Sequence, residues 1–257
     1  VNELILNQAK EHFKNGLIQK ANEIYEGLSQ EITSDISVQI GATECNKYDL
    51  DKYNSQLLEL LEKDPDNYNL KFQILKSMAE NDKIPEFRSL FNDIVNDLSK
   101  NEEQFWLKQL GEICLSVRIP VFSERIAQII EKKASSDQKW EVYTFKARQY
   151  LAAGDMVRAE SFAKKAQDSA PDDKPEIYNV LGIVEKRKGR LRKALECFQT
   201  AQKISTWDYR IGYNIALCFK ALDKADQAIE CLSAIVHKHP DYEKAKQMLI
   251  FSNEKSK

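Results

Sequence analysis

Glycine and proline are scarce in this chain, at 8 and 6 of 257 residues, whereas charged residues make up 30%. Such a composition suits long amphipathic helices with solvated faces. Apolar runs stay short of the roughly 18 residues that span a bilayer, and the chain does not open with a charged segment followed by an apolar core. The sequence therefore predicts no membrane segment and no signal peptide, and we expect a cytoplasmic protein.

The sequence also lacks the motifs of catalysis and nucleotide binding. Neither GxxxxGK nor GxGxxG occurs, and GxSxG and HExxH are absent as well. His237 and His239 stand two residues apart, so on a helix they face different directions and would not share a metal ion. We predict no catalytic residue, no cofactor and no metal site.

Cysteines are few and follow no ligand or disulfide pattern. The five lie at wide spacings without a CxxC pair: Cys45, Cys114, Cys197, Cys218 and Cys231. An odd number at such spacings argues against a disulfide framework. Because each falls within a helical pattern, we predict reduced thiols packed as small apolar residues.

Residues 175–242 contain two consecutive copies of one sequence repeat, which align without a gap and have a period of 34 residues. Small residues at positions eight and twenty let two antiparallel helices approach closely, while larger apolar residues fill the seams between them. A fixed period in this range predicts a solenoid of stacked helix hairpins. The matching pairs are Gly182 and Ala216 at position eight, Ala194 and Ala228 at twenty, Phe198 and Leu232 at twenty-four, and Ala201 and Ile235 at twenty-seven.

At these positions the sequence resembles the tetratricopeptide repeat family. The resemblance implies an all-α fold, a right-handed superhelical solenoid of antiparallel helix hairpins, in which each hairpin buries its apolar stripes against its neighbours. It also implies a scaffold that binds other proteins, without naming a partner. Pentatricopeptide RNA readers have a similar period, but the small residues found here resemble the tetratricopeptide pattern better.

Extending the period in both directions predicts seven repeats of two helices and a final capping helix, fifteen helices in all. The pattern weakens in the middle, where Leu75 and Phe87 stand at positions that favour small residues. Period-two alternation is missing, so no strand is predicted. The predicted repeat starts are Asn2, Ser34, Tyr68, Gln104, Trp140, Pro175 and Tyr209, with the cap from Glu243.

Charge and repeat quality change together along the chain. Residues 1–139 hold 17 basic and 24 acidic residues, whereas residues 140–257 hold 21 basic and 16 acidic ones. The repeats also match better after a polar joint at 135–137. We therefore predict two regions, partly degenerate repeats over 1–137 and regular repeats with the capping helix over 138–257.

In stacked hairpins of this kind the first helix of each repeat, the A helix, lines a concave groove. Positions two, five, nine, twelve and thirteen of each repeat should point into it. Over the last three repeats these positions carry cations, an amide, a phenol and apolar groups, which predicts a protein or peptide partner with acidic residues. The candidate contact residues are Thr144, Arg148, Asn179, Ile183, Lys186, Arg187, Arg210, Tyr213, Leu217 and Lys220.

Other features of the sequence leave alternatives open. Phe72 and Phe105 are either anchors for a hydrophobic partner or core residues of a degenerate repeat. The basic run at 186–193 is either a solvated turn or a docking site for phosphate, RNA or an acidic surface. No aromatic residue alternates with its cations, so nucleic acid is not favoured. The carboxylate clamp of chaperone-binding relatives is not present, because Glu112 stands where the clamp needs asparagine after Lys108.

The leading hypothesis is a non-catalytic scaffold that binds a peptide or partner protein in the concave groove. One alternative is a regulatory or oligomerisation domain of a larger signalling protein, bacterial in origin, suggested by the first residue Val1 and the irregular middle repeats. That alternative includes a homo-oligomer. The other is an RNA-associated helical repeat, which depends on the basic run alone.

Overall fold

A computed structural model of the protein describes residues 2–14, 17–31, 36–47, 49–100, 104–117, 119–205 and 208–255. In these ranges there are 15 α-helices, one 3-10 turn at Ser136–Gln138 and no strand. Every helix in them is too short or too polar to cross a lipid bilayer. The helices are α1 (Asn2–Lys14), α2 (Ile18–Glu31), α3 (Ile36–Glu44), α4 (Leu50–Lys63), α5 (Tyr68–Glu80), α6 (Ile84–Lys100), α7 (Gln104–Ser116), α8 (Pro120–Lys133), α9 (Lys139–Ala153), α10 (Met156–Ser169), α11 (Pro175–Arg187), α12 (Leu191–Ile204), α13 (Tyr209–Ala221), α14 (Ala225–Lys238) and α15 (Glu243–Lys255).

The predicted all-α series of hairpins is confirmed. Consecutive helices pack against each other in chain order from α1 to α6 and again from α8 to α15. Helix α9 begins at Lys139, one residue before the predicted start, and the predicted start at Ser34 lies outside the described residues. The other helices expected to open a repeat or the cap begin where predicted, at Asn2, Tyr68, Gln104, Pro175, Tyr209 and Glu243.

The chain divides into two compact units, Val1–Ile113, here the N unit, and Cys114–Lys257, here the C unit. The N unit carries 12 basic and 21 acidic residues, and the C unit carries 26 and 19. Their formal net charges at pH 7 are therefore −9 and +7. The division between 137 and 138, drawn from composition and repeat quality, stays a prediction, as does the right-handed superhelix.

The turn between the two helices of a repeat has one backbone conformation in four repeats. Position fifteen has a positive φ in each, at Asp82 (54°), Gly154 (80°), Gly189 (75°) and Asp223 (56°). Gly154 shows the reason, because it ends α9 in the left-handed region, where its N–H bonds to the carbonyls of the preceding turn. Glycine enters that region without steric cost, and aspartate tolerates it better than most residues.

Gly182 shows why position eight must be small. A Cβ atom at this residue would lie 2.5 Å from Cε1 of Phe198, which is closer than real Cβ contacts. Phe198 itself is fully buried. The missing side chain of α11 therefore makes room for the aromatic ring of α12, and the hairpin closes around that contact.

The degenerate middle repeat achieves burial with large residues. Leu75 and Phe87, which replace the expected small residues, are both 0% exposed. The ring of Phe87 stacks on that of Phe91, with centroids 6.1 Å apart. This repeat fills its seams with side-chain volume, whereas the later repeats fill theirs by close approach of the helices.

The core of the C unit is a series of small clusters between neighbouring hairpins. Phe198 of α12 packs with Ile215 of α13 in one cluster, and Ala163 of α10 packs with Val184 of α11 in another. Each hairpin thus shields the apolar seam of the next, as expected for a repeat that contacts only its neighbours.

Helix α15 closes the last seam. Ala245 is fully buried, and Met248 and Leu249 pack on the cluster that contains Leu232. Phe251 is 45% exposed. Its ring is covered by an ammonium group on the A helix of the last repeat, as described below.

Candidate functional site

The A helices of the last three repeats, α9, α11 and α13, form what we call the A-helix wall. Helix α11 contacts both α9 and α13, so the three helices make one continuous surface within the C unit. They carry 7 basic and 3 acidic residues. A surface with this balance favours an anionic ligand.

A series of hydrogen bonds links α11 and α13 across the wall. The Nζ of Lys186 donates to Oδ1 of Asn214 at 3.3 Å, and Nδ2 of Asn214 donates to Oδ1 of Asn179 at 3.1 Å. All three side chains are half-buried. The series holds two amides and an ammonium at fixed positions on the surface.

Lys186 is a partly desolvated cation of the wall. Burial lowers its pKa, the neighbouring cation of Arg187 lowers it further, and Cys218 opposes the shift. Among the described residues, none of the groups responsible for this shift is a carboxylate. A carboxylate supplied by a ligand would compensate this desolvated charge.

Most of the basic run at 186–193 is used in contacts within the protein. Arg187 donates to the carbonyl oxygen of Leu151 at the end of α9, and Lys188 pairs with Glu160 of α10. Arg190 lies 3.4 Å from Glu185. Lys186, Arg187 and Lys188 thus contact a neighbouring repeat, and Arg190 pairs within its own repeat. The last two cations of the run, Arg192 and Lys193, are exposed.

Aromatic rings and an ion pair flank the far end of the wall. Arg210 forms an ion pair with Asp208 at 2.6 Å, and this pairing lowers the pKa of Asp208. Tyr213 meets the ring of Tyr242 edge-on, with centroids 5.5 Å apart. The Nζ of Lys220 lies 4.6 Å from the ring centroid of Phe251 of α15. Capping helix and wall are thus in direct contact.

The remaining candidates are divided between surface and interior. Arg148 is exposed, and Ile183 and Leu217 are half-buried, so these three side chains are accessible on the wall. Thr144 is buried, and its hydroxyl donates to the carbonyl oxygen of Trp140 at 2.7 Å. Thr144 therefore does not enter the contact set proposed below.

Asn214 was not among the residues predicted for the site, although it lies at the centre of the hydrogen-bonded series. It stands at position six of its repeat, and the helical positions used to define the wall omit position six. One feature of the sequence could have identified it. Asn214 stands at position six of its repeat, one position after that of Asn179, which is position five of the preceding repeat. Two amides at nearly equivalent positions of adjacent A helices can meet across the helix contact.

Glu160 carries the largest resolved pKa shift of a carboxylate in the C unit. Hydrogen bonds from Lys164 and Lys188 lower its pKa from 4.5 to about 2. The Nζ of Lys164 lies 2.8 Å from Oε1 of Glu160, and Lys188 binds the other oxygen. One carboxylate thus links α10 to the basic turn after α11.

We expect Glu160→Gln to lower the free energy of unfolding by about 1 kcal/mol at neutral pH, the scale of a partly exposed ion pair. The native pKa is depressed, so the stabilisation is complete above about pH 4.5 and disappears as the pH falls towards 2. Urea unfolding of both proteins across this range measures the difference. Exposed Glu196→Gln is the control, and a Glu160 effect that stays constant with pH would contradict the assignment.

All five cysteines are free thiols, and burial raises the pKa of Cys114 to about 12. In the part of the chain that the structure describes, no group of three or more His, Cys, Asp or Glu side chains is placed to hold a metal ion.

Phe72 and Phe105, the aromatic pair of the N-terminal repeats, have different environments. Phe72 is 7% exposed and belongs to the core, whereas Phe105 is 63% exposed. Phe72 is thus a core residue, whereas a role of Phe105 as an anchor for a hydrophobic partner stays a prediction.

Comparison with known proteins agrees with this architecture. The family model of the tetratricopeptide repeat matches residues 175–206, the segment that contains α11 and α12. The BBSome complex member bbs-4 of Caenorhabditis elegans is 27% identical to this chain over 84 residues. That match covers 33% of this chain and 18% of the relative, so the matched segment spans less than a fifth of that protein.

Two solved structures are similar to this chain over most of its length. A tetratricopeptide repeat protein from Parabacteroides merdae superposes with a TM-score of 0.54 at 17% identity, covering 85% of this chain and 84% of that one. The structure of the APC/C hetero-tetramer Cut9–Hcn1 gives a TM-score of 0.52 at 13% identity, covering 95% of this chain and 48% of that one. At these identities the likeness establishes the fold alone.

Proposed function

We propose that this chain is a non-catalytic scaffold that holds a peptide of a partner protein along the A-helix wall. Its fold is that of a tetratricopeptide repeat protein, and residues 175–206 match the model of that repeat. Repeats of this class generally mediate protein–protein interactions, and their continuous surfaces suit that task. The observation that carries the proposal is the hydrogen-bonded series of Lys186, Asn214 and Asn179.

The amides of the series fit the backbone of an extended peptide. An asparagine side chain has two N–H donors and an oxygen with two lone pairs. Each amide here uses only part of that capacity, because Asn214 donates one bond to Asn179 and accepts one from Lys186. A peptide in extended conformation offers N–H and C=O groups with the same pattern of donors and acceptors. Backbone recognition by these two residues would give affinity without a strict sequence requirement.

Charge supplies the preference for acidic residues. The half-buried ammonium of Lys186 lies close to the guanidinium of Arg187. The exposed Arg148 and the half-buried Lys220 extend the same sign of charge along the wall. A carboxylate of the peptide would form a charge-assisted hydrogen bond with Lys186. Ile183 and Leu217 offer apolar surface for alternate side chains of the peptide.

The proposal is tested with fluorescein-labelled peptides of defined charge. A peptide of alternating glutamate and threonine should bind the full chain, while the matched peptide of lysine and threonine should not. Fluorescence anisotropy gives the affinities, and NMR of the side-chain amides of Asn179 and Asn214 locates the peptide. Equal binding of both peptides, or shifts confined to other residues, would contradict the proposal.

The alternative functions can be tested with the same preparation. Sedimentation velocity on the chain alone tests the oligomerisation domain, and retention on immobilised RNA at low salt tests the RNA-associated repeat. The cations of the basic run that bind Leu151, Glu160 and Glu185 weaken the second alternative, since they already have partners. A reducing compartment such as the cytoplasm is the proposed location, because all five cysteines are free thiols.

A further inference from the structure

An open pocket of ≈ 610 Å³ lies in the N unit, far in sequence from the A-helix wall. It is formed where α4 ends, α5 begins, α6 ends and α7 begins. Three of its seven lining residues are aspartates, two are aromatic, and none is a cation. The residues are Asp64, Asp66, Asn67, Tyr68, Asn69, Asp97 and Trp106.

The wall of the pocket belongs to a cluster of four aromatic rings. The centroid of Trp106 lies 5.4 Å from that of Tyr68 and 5.8 Å from that of Phe72. Phe105 meets the ring of the lining residue Trp106 edge-on, with centroids 5.0 Å apart, and is 63% exposed. Aromatic surface left open at the edge of a pocket is typical of a contact site for another molecule.

The aromatic faces of the pocket already attract a cation of the protein itself. The Nζ of Lys71 lies 4.8 Å from the ring centroid of Tyr68. The electron-rich face of an indole is a stronger partner for a cation than that of a phenol. Trp106 therefore offers the better of the two faces that line the pocket.

The carboxylates of the pocket are held in place by local hydrogen bonds. The hydroxyl of Tyr68 donates to Oδ2 of Asp97 at 2.5 Å, and Nδ2 of Asn67 donates to Oδ2 of Asp64 at 3.0 Å. Asp66 is exposed beside them. A pocket with fixed carboxylates next to an indole face selects a positively charged group that can also stack.

We propose that this pocket binds an arginine side chain in a basic segment of a partner protein. The planar guanidinium stacks on an indole and can donate two parallel N–H bonds to the two oxygens of one carboxylate, which an ammonium group cannot do. The N unit carries a formal net charge of −9, which attracts a basic segment over the surrounding surface. Phe105 would cover the apolar part of that arginine or of its neighbour.

The test is a titration of the ¹⁵N-labelled full chain with N-acetyl-arginine amide, followed at the indole N–H of Trp106. Trp106→Phe assigns that resonance. The arginine amide should produce a saturable shift, the lysine amide should bind about threefold more weakly or worse, and the apolar norleucine amide should have no effect. A norleucine shift equal to that of arginine would overturn the proposal.

Charge at the pocket is tested by the double variant Asp66→Asn, Asp97→Asn, which keeps side-chain shape and an acceptor for Tyr68. Binding of the arginine amide should weaken about tenfold, as expected for the loss of two carboxylates beside a cation. The control Glu23→Gln, Glu59→Gln removes the same charge from exposed positions outside the pocket and should bind as the wild type does. Equal binding by the aspartate variant would show that the pocket does not recognise the cation.

A second copy of the chain is the other occupant that the charges allow, since the C unit carries +7. Sedimentation velocity at increasing concentration separates the two. Dimers that form in the wild type and disappear in the aspartate variant would identify the occupant as the chain itself and overturn the partner proposal. This pocket and the A-helix wall consist of different residues and are proposed to bind ligands of opposite charge. The experiments can therefore contradict one proposal and leave the other intact.

Discussion

Phe198→Ala is expected to lower the free energy of unfolding by about 3–5 kcal/mol, the usual cost of removing a fully buried phenylalanine. The ring is 0% exposed and packs with Ala194, Ile215 and Phe219 in the cluster between the last two hairpins. Its removal leaves a cavity beside a residue without a side chain, Gly182, so the neighbours have little with which to fill it. Denaturant unfolding monitored by circular dichroism measures the loss.

A second substitution distinguishes a specific contact from general loss of volume. Gly182→Ala alone should cost about 1–3 kcal/mol, because its Cβ would lie 2.5 Å from the Phe198 ring. In the Phe198→Ala background the aromatic ring that would clash with the new Cβ is absent. Gly182→Ala should then be neutral, or should stabilise the protein by up to about 0.5–1 kcal/mol, because alanine favours the helix more than glycine does. The double-mutant cycle should therefore show strong coupling.

Gly27 supplies the matched control for this cycle. It lies inside α2, and a Cβ there would meet nothing within 4 Å. Gly27→Ala should stabilise the protein slightly in either background and show no coupling to Phe198→Ala. If Gly182→Ala behaved in the same way as Gly27→Ala, the close approach of α11 and α12 at Gly182 would not constrain the fold.

Reversing two charges on the A-helix wall is expected to weaken binding of the acidic peptide about a thousandfold at low salt. Arg148→Glu and Lys220→Glu each replace an attraction by a repulsion, and each contact of this kind is worth about 1 kcal/mol near water. Fluorescence anisotropy with the glutamate–threonine peptide gives the ratio. Arg187 stays unchanged because its bond to the carbonyl of Leu151 supports the fold.

The matched control reverses two exposed cations on a different helix, Arg192→Glu and Lys203→Glu of α12. It changes the net charge by the same amount but does not touch the A helices. Its binding should fall much less, and 0.5 M salt should narrow the gap between the two variants because exposed charges are screened. Equal losses in both variants would mean that net charge, and not the wall, determines binding.

The sequence predicted the hairpins well because the repeat is governed by side-chain size. Gly182, Ala194 and Phe198 fit only one arrangement of two helices, and the same pattern located the starts of α11, α13 and α15. Even the degenerate repeat keeps its helices, since Leu75 and Phe87 are buried at the positions where small residues were expected. Periodicity survives substitution as long as the apolar face is kept.

The candidate site was harder to predict because it depends on hydrogen-bond partners in neighbouring helices. Thr144 turns its hydroxyl to the carbonyl of Trp140, a local bond available to any helical threonine. The partner of Arg187, the carbonyl of Leu151, carries no signal in the sequence. Asn214 was missed because it stands at position six of its repeat, whereas the wall was defined by positions two, five, nine, twelve and thirteen.

The clusters between neighbouring hairpins have a mechanical consequence. A chain pulled from its C-terminus loses α15 first, and Leu232 of the last hairpin then faces water without the cover of Ala245. Each following hairpin is held by its own seam, so we expect the C unit to yield in steps. A step releases one repeat of 34 residues, or roughly 115 Å of extended chain. The C unit is therefore expected to extend under tension in discrete steps of one repeat each.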